Sequence, residues 1–325
     1  MTAVRIGTRG SALALAQTRQ VADSLARASG LDVELVTITT HGDTTAESLS
    51  QLGGTGVFTG ALRDALLNDE IDVAVHSLKD LPTAEHPGVV LSAVPKRADA
   101  RDVLCARDGL TLDTLPEGAR VGTGSPRRIA QLKGLRADLT VVDIRGNIDT
   151  RLGRVFDDVD AERRLDAVVL AAAGLGRLGR ADSATQHLAL SDWPTAPGQG
   201  ALALETRPDV AASQHGRALA KALATVNHVT TRGVVAAERG VLAGLEAGCA
   251  APLGTTALVE DGLLFLTATV YKPDGSEHLT SSHAASLEGN GQAALLEAAE
   301  DAARRVVDEL LESGAASLAP LGGAA

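Results

Sequence analysis

The sequence predicts an α/β protein of largely parallel sheets, followed by a smaller α+β domain. Three observations predict this. Short apolar runs bounded by Gly, Ser and Asp alternate with helix-period segments through roughly the first two hundred residues, the signature of strands joined by helices. The remainder instead carries Glu260-Asp261-Gly262 and Pro273-Asp274-Gly275, which are hairpin signals, ahead of a strongly amphipathic run. Finally, 325 residues that are 45% hydrophobic provide for two or three domains with sizeable cores. With aromatics at only 2%, those cores must be built from Ala, Val, Leu and Ile.

Taken in order, residues 4–7 read as a strand and Thr8-Arg9-Gly10-Ser11 as a turn, with Ser11 an N-cap for a helix through Ala28. Residues 33–39 form the next strand. Residues 41–56 have the glycine-rich, polar composition of a mobile loop, and 57–67 read as helix. A buried strand at 72–75 runs into His76-Ser77-Leu78-Lys79-Asp80-Leu81-Pro82, and another follows at 89–94. Residues 96–102 are charged without apolar periodicity and predict a hinge. Arg120–Gly122 is a short strand, after which Ser125-Pro126 has the form of an N-cap followed by proline at the first helical position. The unit repeats as strand 139–144, Arg145-Gly146-Asn147 and a helix carrying Arg151. Strand 167–170, a turn at Gly174-Leu175-Gly176-Arg177, a second break at 192–200 and strand 201–205 complete this part. Residues 226–244 predict a helix, 246–252 a loop holding Cys249, and 292–311 an amphipathic helix. From Ser313 onward the composition predicts a frayed tail.

Charge is unevenly placed. The chain has a formal net charge of -11, yet residues 120–151 hold Arg120, Arg127, Arg128, Lys133, Arg136, Arg145 and Arg151 against Asp138, Asp143 and Asp149. Cations in the first turn of a helix oppose its dipole, so Arg127 and Arg128 do not serve helix stability. In open α/β sheets ligands lie beyond the carboxyl ends of strands. Arg9, Lys79, Asp80, Arg127, Arg128 and Arg145 all fall at such ends. The pattern reads as an anion site, or else as solvated arginine clusters. The acidic balance argues against nucleic acid or an anionic membrane as partner. Two cysteines give neither a disulfide framework nor a zinc signature, and the histidines lack metal spacing, so no metal is expected. The longest apolar run, 167–173, is too short to span a bilayer, and the N-terminal run is too short for an export signal. A cytoplasmic monomer is expected.

Asp80 beside Lys79 is either an acid–base or cation-stabilising group, or a surface ion pair. Cys249 lies among small residues that leave room for a bulky group on sulfur, though a packed free thiol has the same surroundings. Cys105 reads as a packed thiol. A hydrolase built on His76 and Cys249 lacks a local signature.

Thr8-Arg9-Gly10-Ser11, Val75 to Pro82, Gly122-Thr123-Gly124-Ser125-Pro126-Arg127-Arg128, Arg145 to Arg151, Pro197-Gly198-Gln199-Gly200 and Gly248-Cys249 resemble, in order and over nearly the whole chain, the motifs of the porphobilinogen deaminase (hydroxymethylbilane synthase) family. The resemblance implies two type II periplasmic-binding-protein-like domains plus a small α+β C-terminal domain, divided as 1–97 with 198–222, 98–197, and 226–325. It implies a transferase of tetrapyrrole (heme) biosynthesis. Such an enzyme joins four porphobilinogen molecules head to tail, with loss of ammonia, onto a dipyrromethane cofactor held by a thioether to Cys249, and releases hydroxymethylbilane by hydrolysis. By the same resemblance Asp80 is the catalytic carboxylate that stabilises the azafulvene cation left when ammonia departs. Lys79, Ser77, Thr123, Ser125, Arg127, Arg128, Arg145, Gly146 and Asp43 bind the cofactor. Arg9, Ser11, Arg145, Arg151, Arg177, Gln199 and Phe58 bind substrate. Planar guanidinium forks suit the acetate and propionate groups of each pyrrole. The sequence departs from the family at Gln51 and Thr55, where relatives carry lysines, so lysine contacts from that loop do not carry over. Pro126 replaces a commoner leucine, and Ala247 a common glycine. The competing reading is a non-catalytic two-lobed binding protein for a small carboxylate, which leaves the third domain and Cys249 unexplained.

Overall fold

The computed structural model describes residues 3–39, 59–248 and 251–321. Two five-stranded sheets share one design. In the first, β1 (Val4–Thr8), β2 (Val33–Thr37), β3 (Val73–Ser77) and β4 (Val90–Ala93) run in one direction, and β10 (Leu202–Thr206) lies antiparallel between β3 and β4, giving the order β2-β1-β3-β10-β4. The second holds β5 (Asp102–Ala106), β6 (Arg120–Gly122), β7 (Thr140–Val142), β8 (Ala167–Ala171) and β9 (Gln186–His187) in the order β7-β6-β8-β5-β9, with β5 antiparallel to both neighbours. In each lobe the antiparallel strand is the one formed as soon as the chain has crossed over. Both are buried along their whole length, as the near-continuous apolar runs of covered strands require. The sheets are thus mixed rather than wholly parallel.

Helices pack against the sheets. In α1 (Ala12–Ser29) the Ser11 side chain accepts from the Ala14 N–H and Gly30, at φ 68°, closes the C-terminus. Also present are α2 (Gly60–Leu67), α3 (Pro126–Leu135) and α4 (Ile148–Phe156). The predicted turn at 174–177 is instead a helix, α5 (Ala172–Arg177). Gly174 is a packing residue: a Cβ on it would stand 2.8 Å from Ile148 Cδ1.

The C-terminal part is a meander of β11 (Leu253–Glu260), β12 (Leu263–Tyr271) and β13 (His278–Ser286). The helix predicted at 226–244 starts three residues later, as α7 (Val229–Gly244), because a break at Asn227-His228 separates it from α6 (Gln214–Val226), which the sequence reading did not assign. Asn227 Oδ1 accepts from the Val94 N–H at 2.9 Å, and His228 caps α7 by accepting from the Thr231 N–H. The long helix α8 (Gln292–Glu312) packs on α7 and on the sheet through Ala299, Ala302, Val306 and Leu310. The predicted frayed tail is instead docked over residues 313–321. Ala315–Leu318 forms α9, and Ala315, Ala319 and Leu321 join the same core. The hinge predicted over 96–102 ends earlier, since Asp102 already begins β5. Most strand ends shift by one to three residues from the sequence reading.

Candidate active site

The carboxyl ends of the strands carry the charges. β1 ends at Thr8, which delivers Arg9 to the turn before α1. β3 ends at Ser77 and passes into a single 3-10 turn, Leu78–Asp80. Leu78 is fully buried beside Ala201 and Val234, which leaves Lys79 half-buried and Asp80 exposed. The turn is held from behind. The Leu78 N–H donates to Ala201 O, and Arg239 of α7 donates to the carbonyls of Leu78 (3.2 Å), Leu81 (2.7 Å) and Pro82 (2.7 Å). Lys79 Nζ reaches Gln199 Oε1 at 3.4 Å. Burial lowers the Lys79 pKa, opposed by Asp80, with Arg128 and Arg127 adding to the fall and Asp102 resisting it.

The second lobe contributes guanidinium groups. Beyond β6, Thr123 is buried and its Oγ1 accepts from the Ser125 N–H. Ser125 occupies the N-cap of α3 without a side-chain capping bond, which leaves its hydroxyl uncommitted to the helix. Arg127 and Arg128 in the first turn are both buried. They converge on Asp102, the first residue of β5: Arg127 Nη2 to Oδ2 at 2.9 Å, Arg128 Nε to Oδ2 at 3.1 Å and Arg128 Nη2 to Oδ1 at 2.6 Å. Trp193 Nε1 and Gln199 Nε2 complete the set, each at 2.8 Å. Burial by itself would push the Asp102 carboxyl up; the two arginines outweigh it and hold it well below the usual range.

Beyond β7, Arg145 is exposed in the turn before α4. Gly146 has φ 99°, and a Cβ there would meet Thr150 Cγ2 at 2.9 Å, so this turn requires glycine. Asn147 caps α4, and Arg151 Nε donates to Gly146 O. Burial lowers the Arg151 pKa, and the positive charges of Arg128 and Arg145 add to this, with Asp143 opposing. Arg177 at the end of α5 donates to Gly200 O at 2.8 Å, and among the described residues neither its buried Nε nor Arg127 Nε has a partner. Partnerless buried donors beside crowded cations suit a group with several carboxylates.

These contacts join Lys79, Gln199, Arg127 and Arg128 in one network, and Arg151 lies in the field of both Arg128 and Arg145. Ser11 Oγ accepts from the Ala14 N–H at 3.3 Å as the cap of α1, which leaves its O–H as a donor. Asp43, Phe58, Cys249, Gln51 and Thr55 lie outside the described residues. His76 is buried with Nε2 3.1 Å from Glu205 Oε2, within the first sheet. Sequence reasoning missed Asp102, Trp193 and Arg239. For Asp102 one signal was available: a carboxylate heading an otherwise apolar run has to be paired when the run is buried. Among the described residues no His, Cys, Asp and Glu cluster has metal-site form, and no helix is long and apolar enough to cross a membrane.

Two family models match the chain. Residues 4–215 match "Porphobilinogen deaminase, dipyromethane cofactor binding domain", and 233–312 match "Porphobilinogen deaminase, C-terminal domain". The chain belongs to the porphobilinogen deaminase family. A relative named porphobilinogen deaminase from Leifsonia xyli subsp. xyli is 66% identical over 99% of this chain and 95% of its own length. Another from Cutibacterium acnes is 51% identical over 99% and 98%. Among solved structures, a periplasmic substrate-binding protein of an ABC transporter from Coxiella burnetii matches 68% of this chain and 92% of its own, at TM-score 0.41 and 15% identity. The porphobilinogen deaminase models take in the two lobes and the C-terminal sheet alike, so a free-standing two-lobed binding protein is not the favoured reading.

Proposed function

We propose that the chain is a porphobilinogen deaminase that joins four porphobilinogen molecules head to tail. Each addition forms one carbon–carbon bond and releases one ammonia, and hydrolysis then frees hydroxymethylbilane. The observation that carries this reading is the network at the strand ends. The Lys79 and Asp80 turn of one lobe is tied through Gln199 to the Arg127 and Arg128 pair of the other. When bound to Cys249, dipyrromethane supplies the pyrrole carbon to which the first porphobilinogen is joined. Arg127, Arg128, Arg145 and Lys79, with Ser77, Thr123, Ser125, Gly146 and Asp43, hold its carboxylates and polar groups. Arg9, Ser11, Arg151, Arg177, Gln199 and Phe58, again with Arg145, serve the incoming substrate. Asp80 accepts from pyrrole N–H groups and offsets positive charge as ammonia leaves. Its exposure at the end of a rigid turn supports that role. The domain division 1–97 with 198–222, 98–197 and 226–325 is supported by β10 returning to the first sheet. A cytoplasmic monomer without nucleic-acid or membrane partner completes the proposal.

Intact-protein mass spectrometry and an Ehrlich colour reaction test it. The purified protein is expected to carry a covalent dipyrrole that Cys249→Ala lacks. A fully active protein with an unmodified mass overturns the reading.

A further inference from the structure

Asp102 has no part in the roles above, yet every cation of the network turns on it. It heads β5 and pairs with Ala171, the last residue of β8, so it lies on the ligand-facing edge of its sheet although its own strand runs the other way. Five N–H groups converge on its two oxygens, from Arg127, twice from Arg128, and from Trp193 and Gln199. A carboxylate offers about four lone-pair sites. Asp102 is therefore saturated, has no solvent exposure, and cannot itself touch substrate. We infer that Asp102 is a positioning residue: it gathers Arg127, Arg128, Trp193 and, through Gln199, Lys79 into one buried network that sets how both lobes present their cations to pyrrole carboxylates.

Three parts of the geometry support this. Arg128 meets Asp102 through a two-bond fork, while its Nη1 donates to Val169 O at 3.1 Å, so its plane is fixed. The shared anion lets two guanidinium groups stand side by side at the start of α3, where the helix dipole opposes them. Gln199 donates to both Asp102 Oδ1 and Ala100 O, which orients its Oε1 toward Lys79 Nζ. The charged groups facing Lys79 are Asp80 on its own turn, Asp102 on β5, and Arg127 and Arg128 on α3. Deleting the Asp102 charge removes one of the two anions that keep Lys79 protonated.

The inference rests on the assignment of Lys79, Arg127 and Arg128 to the pyrrole carboxylates. The test is steady-state kinetics of Asp102→Asn across pH, on protein shown by mass to carry its primer. KM for porphobilinogen is expected to rise at least tenfold with a smaller fall in kcat, and the alkaline limb of kcat/KM to move to lower pH. Folded Asp102→Asn with native KM and a native alkaline limb overturns the inference. If that variant does not fold, Gln199→Met cuts the relay without leaving a buried charge. It too is expected to move the alkaline limb to lower pH, and an unmoved limb counts against the inference. Arg128→Gln, run in parallel, separates the two levels. If it loads the primer and binds substrate normally, the carboxylate-site assignment has failed. If it is impaired while Asp102→Asn is native in both KM and limb, only the role of Asp102 has failed.

Discussion

The two lobes repeat one strand order, but their antiparallel strands carry their buried carboxylates at different heights. β5 has Asp102 in its first position and Cys105 in its fourth; β10 has Leu202 first and Glu205 fourth. Because Leu202 pairs with Ser77 at the end of β3, and Glu205 with Ala74, Glu205 sits three residues back from the ligand edge. It takes a two-bond fork from Arg63, at 3.0 and 2.7 Å, and lies beside His76. That network is closed within its own lobe, while the Asp102 network opens toward the other. The same ionic chemistry thus serves the interior of one sheet and the cleft of both, and a displacement of three residues along a strand decides which. The carboxylate proposed for catalysis follows the complementary rule. Among the described residues Asp80 takes no arginine fork, and it is exposed at the strand end, where a carboxylate remains available to substrate.

The largest expected effect tests that last contrast. Asp80→Ala removes an exposed side chain and is expected to leave the melting temperature unchanged, while kcat falls by about 10²–10³-fold, the usual scale for one electrostatic stabiliser. Rapid-quench or steady-state product formation on primer-loaded enzyme measures it. Near-native kcat would mean that the exposed turn is not where charge develops, and the contrast between the two kinds of carboxylate would disappear.

Glu205→Gln is expected to do the opposite. Breaking one side of a buried ion pair costs about 3–5 kcal/mol. Activity per folded molecule should stay native, because none of the Glu205 partners reaches the cleft network. The pH dependence has a definite sign. Burial pushes the Glu205 carboxyl up, but His76 and Arg63 outweigh it and bring the pKa down to about 2 from the ordinary 4.5. A depressed carboxyl contributes stability that is complete above the unfolded value and is lost as pH falls through the folded one. Wild-type stability should therefore drop steeply between about pH 4.5 and 2, by on the order of 3 kcal/mol from this group, and the variant should lack that component. Denaturant midpoints across that range decide it.

Much of this was legible in the residues, for physical reasons. Strand–turn–helix units announce themselves by period and capping, so β1, β3, β6 and the N-cap positions of Ser11 and Ser125 fell close to where the pattern put them. Placement of Arg9, Lys79, Asp80, Arg127 and Arg145 at strand ends followed from those units alone. Strand order did not, because pairing in a parallel sheet is set by long-range packing. Asp102 was hidden since charged residues 96–101 run into it and the whole stretch reads as hinge. Arg239 was hidden because a single arginine on an amphipathic helix looks solvated; only the fold brings it behind the Lys79 turn. Gly174 of α5 looks like a turn residue until Ile148 is seen to need the space.

The smallest expected effect concerns how the C-terminal domain grips the two lobes. It holds the first through Arg239 and the second through the β12–β13 turn. In that turn Gly275, at φ 78°, comes so near α3 that an added Cβ would stand 2.5 Å from Ala130 O and 2.7 Å from Gly134 N. Alongside it, Tyr271 accepts from Gln131 Nε2 at 3.1 Å, and Gln131 in turn accepts from Arg127 Nη1 at 2.7 Å. Gly275→Ala combines backbone strain with backbone overlap that no flexible side chain can relieve, and is expected to cost about 1–3 kcal/mol. Because the displaced helix carries Arg127 and Arg128, a modest rise in KM should accompany the lower melting temperature. Asp261 and Gly262 form the equivalent turn of the first hairpin, where Gly262, at φ 77°, has no atom within 4 Å of an added Cβ. Gly262→Ala should therefore show the strain alone, with native KM. Equal KM values for the two variants would mean that contact with α3 does not reach the arginines, and that the second lobe, like the first sheet around Glu205, keeps its own geometry.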